Sequence, residues 1–325
     1  MATYKEIKGD LVERVATDPA NPGEGDIWYN TTMGVLKGYQ NIGGAWASGG
    51  NLTLGRRSAG GGGTLTSGIT FGGSYGSQLD TNTTEEYNGS TWTAGGNMNT
   101  ARARFASAGT QTAAVGSAGY LGNPSYTNST ATEEYDGSSW TTVPGSYPTA
   151  GRDMTGAGTQ TAAFAAGGKF GPVISTATNN YDGTSWTSSG NLGGARYGLG
   201  GTGTQTAGLV FGGEGPTGDT ASTEEYNGST WTAGGSLNTT RTGVRGAGIQ
   251  TSTLAFGGNL APNNTSTESY DGTSWTNEQN LITGVLNPAG IGVQTAAGSV
   301  GGGSFLNITQ EYNDPSFATR TLTTS

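Results

Sequence analysis

Paired carboxylates are the residues in this chain whose type and spacing could do chemistry. Glu85-Glu86, Glu133-Glu134 and Glu224-Glu225 are adjacent, and Glu268 and Glu311 stand singly in the same local context. Two carboxylates on one site could ligate Ca²⁺ or serve as acid and base in glycoside hydrolysis. Each pair, however, lies in a short Thr-Glu-Glu-Tyr run with the composition of a β-strand. Neighbours on a strand point to opposite faces, so the two carboxylates of a pair cannot share a ligand. One Glu of each pair is therefore expected to meet an Arg of the framework. Where a pair is expected, the sequence also offers Asn179-Asn180, which breaks the pattern.

Other chemistry is limited by what the 325 residues lack. There is no Cys and no His. That removes disulfides, thiolate metal sites and Cys nucleophiles, together with the commonest general base and transition-metal ligand. The expectation is a protein with no catalytic residues, no cofactor and no assigned metal ligands, with Ca²⁺ binding left open. The net charge of −9 argues against nucleic acid, which needs a basic stripe. No run of 18 apolar residues is present for a membrane span, and Met1 to Val15 is too charged for a signal peptide.

The elements that must carry these residues repeat. Trp46, Trp92, Trp140, Trp186, Trp231 and Trp275 are separated by 46, 48, 46, 45 and 44 residues. Tyr87, Tyr135, Tyr181, Tyr226 and Tyr270 each precede a Trp by five residues, and Tyr312 precedes Phe317 by the same interval. Gln111, Gln160, Gln205, Gln250 and Gln294 occupy one place in five copies, where the first copy has Leu65. Gly is abundant at 62 residues, which alone would suit disorder, but disordered filler does not keep aromatics in phase.

Each copy reads as four strands. The first follows an Arg (Arg57, Arg104, Arg152, Arg196 or Arg241) and is made of Gly, Ala and Thr. A Gly-Thr-Gln-Thr turn leads to a second strand such as Ala207 to Phe211, and a variable connection leads to the Thr-Glu-Glu-Tyr strand. Asn-Gly or Asp-Gly then predicts a tight hairpin with φ > 0 at both central positions, and the fourth strand carries the Trp. Four strands in a period near 45 fit a propeller blade better than a solenoid coil, whose repeats are shorter. Small residues suit a first strand crowded at an axis, and Trp suits an outer rim where blades splay apart.

The order Arg, two Gly/Ala-rich strands, Gly-Gly, Glu-x-Tyr and Trp resembles the kelch repeat over roughly residues 50–325. The expected fold is all-β: a kelch-like β-propeller of six four-stranded blades, with seven as the alternative if Tyr39 and Trp46 mark a partial blade. Residues 1–48 are expected to form an N-terminal arm and β-hairpin, and 49–325 the propeller. In the six-blade reading Trp46 supplies an extra strand at ring closure. Asp26 to Asn30 and Val35 to Tyr39 form the hairpin across Thr31 to Gly34, preceded by an arm, residues 1–24, broken by Pro19 and Pro22. The arm carries Ile7, Leu11, Val12 and Val15, apolar side chains suited to docking on another subunit; a free terminus is the alternative.

The segment from Asp18 to Tyr39 resembles one common in tail-fibre and other virion proteins of marine bacteriophages. The Glu-Glu-Tyr-Asn-Gly-Ser-x-Trp and Gly-Thr-Gln-Thr-Ala-Ala repeats are similar to those of marine phage and cyanophage proteins. That resemblance implies a virion component, bound to other virion subunits through the arm, with a homo-oligomer left open. Galactose oxidase-like chemistry on such a ring needs a copper site with Cys and His. Neuraminidase-like chemistry needs an asymmetric cluster of Arg, Tyr and Glu, whereas one Arg per unit in phase reads as framework.

Binding is expected where the repeat departs from itself. The Gly-Thr-Gln-Thr and Asn/Asp-Gly turns barely vary and share one face of a meander. The opposite connections vary widely and carry Tyr75, Tyr120, Tyr126 and Phe170. Loops on a rigid scaffold are the usual seat of binding. These four aromatics are the expected anchors for a host surface glycan or protein, unless they only pack their own loops. The functional expectation is a non-enzymatic phage fibre or decoration protein mediating host adhesion. The alternatives are a purely structural virion component packed on capsid or tail and, third, a glycan-active propeller enzyme.

Overall fold

The computed structural model describes residues 12–20, 26–40, 43–76, 79–259, 264–314 and 318–321. It is all-β with no helix among the described residues, and it divides into two compact units. The larger spans Ala45–Asn313, and the smaller takes residues up to Gly44 together with Asp314–Ser325.

In the larger unit six four-stranded antiparallel sheets follow one another among the described residues. The second sheet is representative: Ala106–Thr110, Ala113–Ser117, Thr132–Tyr135 and Trp140–Val143 pair in chain order. The sixth takes Ala289–Val293, Ala296–Val300 and Thr309–Asn313 from the end of the repeats and Ala45–Ser48 from their start. Trp46 lies opposite Tyr312, the register that Trp140 and Tyr135 adopt in the second sheet. Trp46 is therefore the regular fourth-strand Trp of the last sheet rather than an addition to it. Phe317, expected in that role, lies outside the described residues.

The first strands of successive sheets pack side by side in a cycle. Gly60–Thr64 meets Ala106–Thr110, then come Thr155–Thr159, Gly200–Thr204, Arg245–Ile249 and Ala289–Val293, which meets Gly60–Thr64 again. At the tightest points only glycine fits: a Cβ on Gly62 would stand 2.6 Å from the Gly109 carbonyl oxygen of the next sheet. The second strands are buried almost throughout, as in Ala162–Ala166 and Ala207–Phe211, and the fourth strands bury little beyond their Trp. These sheets are consistent with a β-propeller-like class.

Three sets of hydrogen bonds stitch sheet to sheet, the first two using residues that mark the repeat. Each of the six repeat Trp indoles donates to a Thr hydroxyl of the preceding sheet: Trp92 to Thr309, Trp140 to Thr84, Trp186 to Thr132, Trp231 to Thr178, Trp275 to Thr223 and Trp46 to Thr267. The turn glutamines donate to two backbone carbonyls of the preceding sheet, as Gln160 does to Ala114 and Tyr135. Leu65, standing where Gln is absent, packs instead against an apolar cluster containing Tyr87, Trp92 and Ile291. Just ahead of the first strands the backbone itself links the six sheets in a cycle of hydrogen bonds. Ser58 N–H donates to Asn287 O, Asn287 to Gly243, Gly243 to Gly198, Gly198 to Asp153, Asp153 to Arg104, and Arg104 to Ser58. All six positions hold left-handed φ between 50° and 66°.

The Asn/Asp-Gly segments differ from the tight hairpin expected. Tyr87 pairs with Trp92 across a four-residue loop in which only Gly89 has positive φ. Asn88 accepts hydrogen bonds from the N–H groups of Ser90 and Thr91 through its side chain, an Asx turn that makes the second positive φ unnecessary.

In the smaller unit Ile27–Asn30 and Val35–Gln40 form the expected hairpin. Ala318–Thr321 adds antiparallel to the second of these strands, and Glu13–Val15 adds parallel to the first. Part of the expected arm is therefore strand. Asp18 fastens it, accepting from Trp28 Nε1 at 3.0 Å, Asn30 Nδ2 at 2.8 Å and Lys37 Nζ at 2.6 Å. These donors hold its carboxyl at about 2, below the usual range. Val12 and Val15 are half-buried in this region, while Ile7 and Leu11 lie outside the described residues.

Candidate functional site

The glutamate pairs are committed to the framework, one carboxylate on each face of the strand. The first member binds an Arg of its own unit: Glu85 with Arg56 at 2.6 Å, Glu133 with Arg102 at 3.1 Å, Glu224 with Arg196 at 2.6 Å and Glu268 with Arg241 at 3.0 Å. The second accepts from a Tyr hydroxyl of the next sheet: Glu86 from Tyr135 at 2.6 Å, Glu134 from Tyr181 at 2.9 Å and Glu225 from Tyr270 at 2.6 Å. Glu311 accepts from Tyr87. Burial, reinforced by these glutamates, pushes Tyr87 and Tyr135 up to about 12. The expected Glu–Arg contact is therefore present.

The arginines in those pairs correct the phase read from sequence. The in-phase series is Arg56, Arg102, Gly151, Arg196, Arg241 and Val285, whose carbonyls (Arg56 to Val285) accept from the second Gly of each Gly-Gly pair or its equivalent. Arg57, Arg104 and Arg152 do not belong to it. Released from framework duty, they converge on one cavity of about 280 Å³, lined also by Ser74, Asp80, Tyr120, Tyr126 and Phe305. This is the asymmetric Arg and Tyr cluster that the one-Arg-per-unit reading missed.

All eight lining residues lie in connections at the variable end of the sheets. Ser74 and Asp80 belong to a small hairpin, Ser74–Tyr75 with Leu79–Asp80, and Tyr120 to a second, Tyr120–Leu121 with Thr127–Asn128. Asp80 fixes the two hairpins to each other, accepting from the Ser74 hydroxyl at 2.8 Å and the Gly122 N–H at 2.7 Å. Burial raises its carboxyl pKa, partly offset by those bonds and by Arg104. Tyr120 is clasped by two guanidiniums, Arg104 at 5.8 Å and Arg152 at 5.3 Å from the ring centroid. Arg57 lies over Phe305 at 4.7 Å. Asp153 sits between Arg152 at 3.4 Å and Arg104 at 3.7 Å. Arg104 and Asp153 are also members of the left-handed backbone cycle, so the cycle that links the sheets positions two charges of the site.

The four aromatics expected as anchors separate into two groups. Tyr120 and Tyr126 line the cavity, and Tyr126, 50% exposed, presents its ring to solvent. Phe170 is half-buried, stacks on Tyr147 at 6.4 Å and packs against the core, so it holds its own loop. Tyr75 is half-buried in its hairpin and is not among the cavity-lining residues. Across the same face the character changes: Lys169 lies 3.5 Å from the Tyr197 ring centroid, and Glu214 and Asp219 follow.

A second cavity of about 520 Å³ opens beside Gly193, Gly194, Asp219, Glu224 and Trp231. There the fourth unit has Gly193 where the second and fifth place Asn99 and Asn238, whose side chains bond across to the Trp140 and Trp275 carbonyls. No group of three or more potential metal-ligating side chains is found among the described residues. No protein-family model matches the chain, and no curated protein sequence matches it.

Proposed function

We propose that the chain is a kelch-like β-propeller of six blades that serves as a non-enzymatic binding module of a phage virion, adhering to a host surface through the variable face. Three closed or nearly closed cycles support the blade count: packed first strands, Trp–Thr bonds and the left-handed backbone cycle. The observation that carries the functional reading is the cavity lined by Arg57, Arg104, Arg152, Tyr120 and Tyr126, where the repeat abandons its own symmetry. A structural ring needs no such departure. Attachment to other virion subunits is assigned to the N-terminal region, on the motif from Asp18 to Tyr39 and on its folding, together with the C-terminal strand, as a compact unit distinct from the repeats.

The test is binding of the full-length protein to immobilised envelope polysaccharides and outer-surface proteins from a panel of bacteria. Tyr126→Ala should weaken binding about tenfold or more, since an aromatic anchor is worth ~2 kcal/mol when truncated. Absence of binding to every preparation, or binding indifferent to Tyr126→Ala, overturns the reading.

A further inference from the structure

We infer that the group seated in the Arg57–Arg104–Arg152 cavity is a singly charged oxyanion carried on a sugar, a carboxylate or a sulfate ester. The inference rests on the binding reading above and names its ligand class.

The charge count leads to it. Three guanidiniums and one carboxylate, Asp80, line the cavity, and a second carboxylate, Asp153, pairs with two of those guanidiniums from outside the lining, which leaves an excess of one positive charge. Asp153 serves both Arg104 and Arg152. The two oxygens of Asp80 are taken by a hydroxyl and a backbone N–H, and no ion pair joins it to an arginine among the described residues. Among the described residues no carboxylate pairs with Arg57, whose guanidinium lies over the Phe305 ring, and burial together with the neighbouring Arg104 makes its charged form harder to hold. Arg152 Nε lies 3.4 Å from Asp153 Oδ2 without hydrogen-bond geometry, and its Nη1 donates to Asn128 Oδ1 at 3.3 Å. One bound anion would balance the charge and supply acceptors. A planar guanidinium fork recognises carboxylate and sulfate oxygens in pairs. A doubly charged phosphate monoester would overshoot the single excess charge.

The sugar follows from the walls. Both clasping guanidiniums already occupy Tyr120, so the exposed Tyr126 ring is the platform left for an apolar sugar face. A cavity of about 280 Å³ is at the small end of ligand sites, near the size of one substituted sugar ring. The whole chain carries −9, so the attraction is local to the cavity rather than a property of the surface.

Full-length protein is titrated against polygalacturonate, its carboxyl-reduced counterpart and a sulfated galactan. Expected is binding to one or both charged polymers, none to the reduced one, and a loss of about tenfold or more in Arg57→Gln and Arg152→Gln. Arg57→Lys, which keeps charge but not the fork, should recover part of the loss. Binding should also collapse in about 1 M salt, where the Debye length is about 3 Å. The two charged arms separate carboxylate from sulfate. Failure of both charged polymers to bind, or wild-type binding by correctly melting Arg57→Gln and Arg152→Gln, overturns the inference. A protein that binds the reduced polymer equally, loses it in Tyr126→Ala and ignores Arg57→Gln would sink the oxyanion and leave the binding face standing.

Discussion

Arg102 and Glu133 are both 0% exposed, 3.1 Å apart, at the heart of the second sheet. Replacing Glu133 by Gln strands a guanidinium that burial already disfavours, holding Arg102 near 10 rather than its usual value. Breaking a buried pair in this way costs about 3–5 kcal/mol. Replacing Arg102 by Val strands Glu133 with only the Asn99 N–H, at 2.6 Å, and also removes donors from the carbonyls of Gly116, Ala118 and Ala131. That second loss adds roughly 1 kcal/mol per carbonyl. The double variant removes both charges and retains only the carbonyl cost, about 3 kcal/mol. Additive single effects would instead predict about 9–13 kcal/mol. The chain contains this double replacement already. Where four units keep Arg with Glu, the third has Gly151 with Asn179 and the sixth has Val285 with Gln310, so the two positions change together. Gln310 satisfies itself on the N–H and carbonyl of Thr283. Urea unfolding of both single variants and of Arg102→Val/Glu133→Gln measures the coupling. A double variant that loses the sum of the two singles would refute the claim that the ion pair is an all-or-none element.

Three further outcomes follow from the same geometry. Trp46→Ala should cost about 3–5 kcal/mol, as for other buried aromatics, and should loosen the sixth sheet first in hydrogen exchange, because Trp46 joins the two ends of the repeat region; uniform loss of protection over all sheets would contradict this. Stability should be full below pH 10 and fall as pH rises towards 12: the buried phenols of Tyr87 and Tyr135 keep their protons to about 12, whereas an unfolded Tyr releases its own near 10. Absorbance of phenolate at about 295 nm that titrates fully near pH 10 without unfolding would count against it. Gly62→Ala should destabilise by more than the ~1 kcal/mol that Gly-to-Ala changes usually gain or lose, because the new methyl meets backbone on the adjacent strand at 2.6 Å; an unchanged melting midpoint would show that the axis can dilate.

The strands were legible because their marks are framework residues. Trp, Tyr, Gln and the first Glu recur since each is bonded to the neighbouring sheet or to its own Arg, and a bond required in every unit leaves a periodic trace. Completion of the sixth sheet by Ala45–Ser48 was only partly legible, because pairing between residues about 265 apart has no local signature. The strand Ala318–Thr321 had none either. The Asx turns were read as tighter than they are, since Asn-Gly and Asp-Gly serve both geometries.

The cavity was hidden by a phase error of one or two residues. Counting back nine residues from Leu65 and from each turn glutamine gives Arg56, Arg102, Gly151, Arg196, Arg241 and Val285, the in-phase series. Taking the last Arg before each first strand gives Arg57, Arg104 and Arg152 instead, and so mistakes three site residues for scaffold. A shift of one residue in extended chain moves a side chain to the opposite face, and Arg104 enters a left-handed position besides. Framework arginines must be in register because each has a fixed Glu to meet. Arginines out of register have no such partner supplied by the repeat, and the charge they bring must be answered by something the repeat does not contain. In Arg104 and Arg152 it is answered by Asp153, a residue found in no other unit at that place. In Arg57 no carboxylate answers it among the described residues, and it is this one remaining charge, on the face where the connections differ most, that ties the departure from symmetry to a ligand.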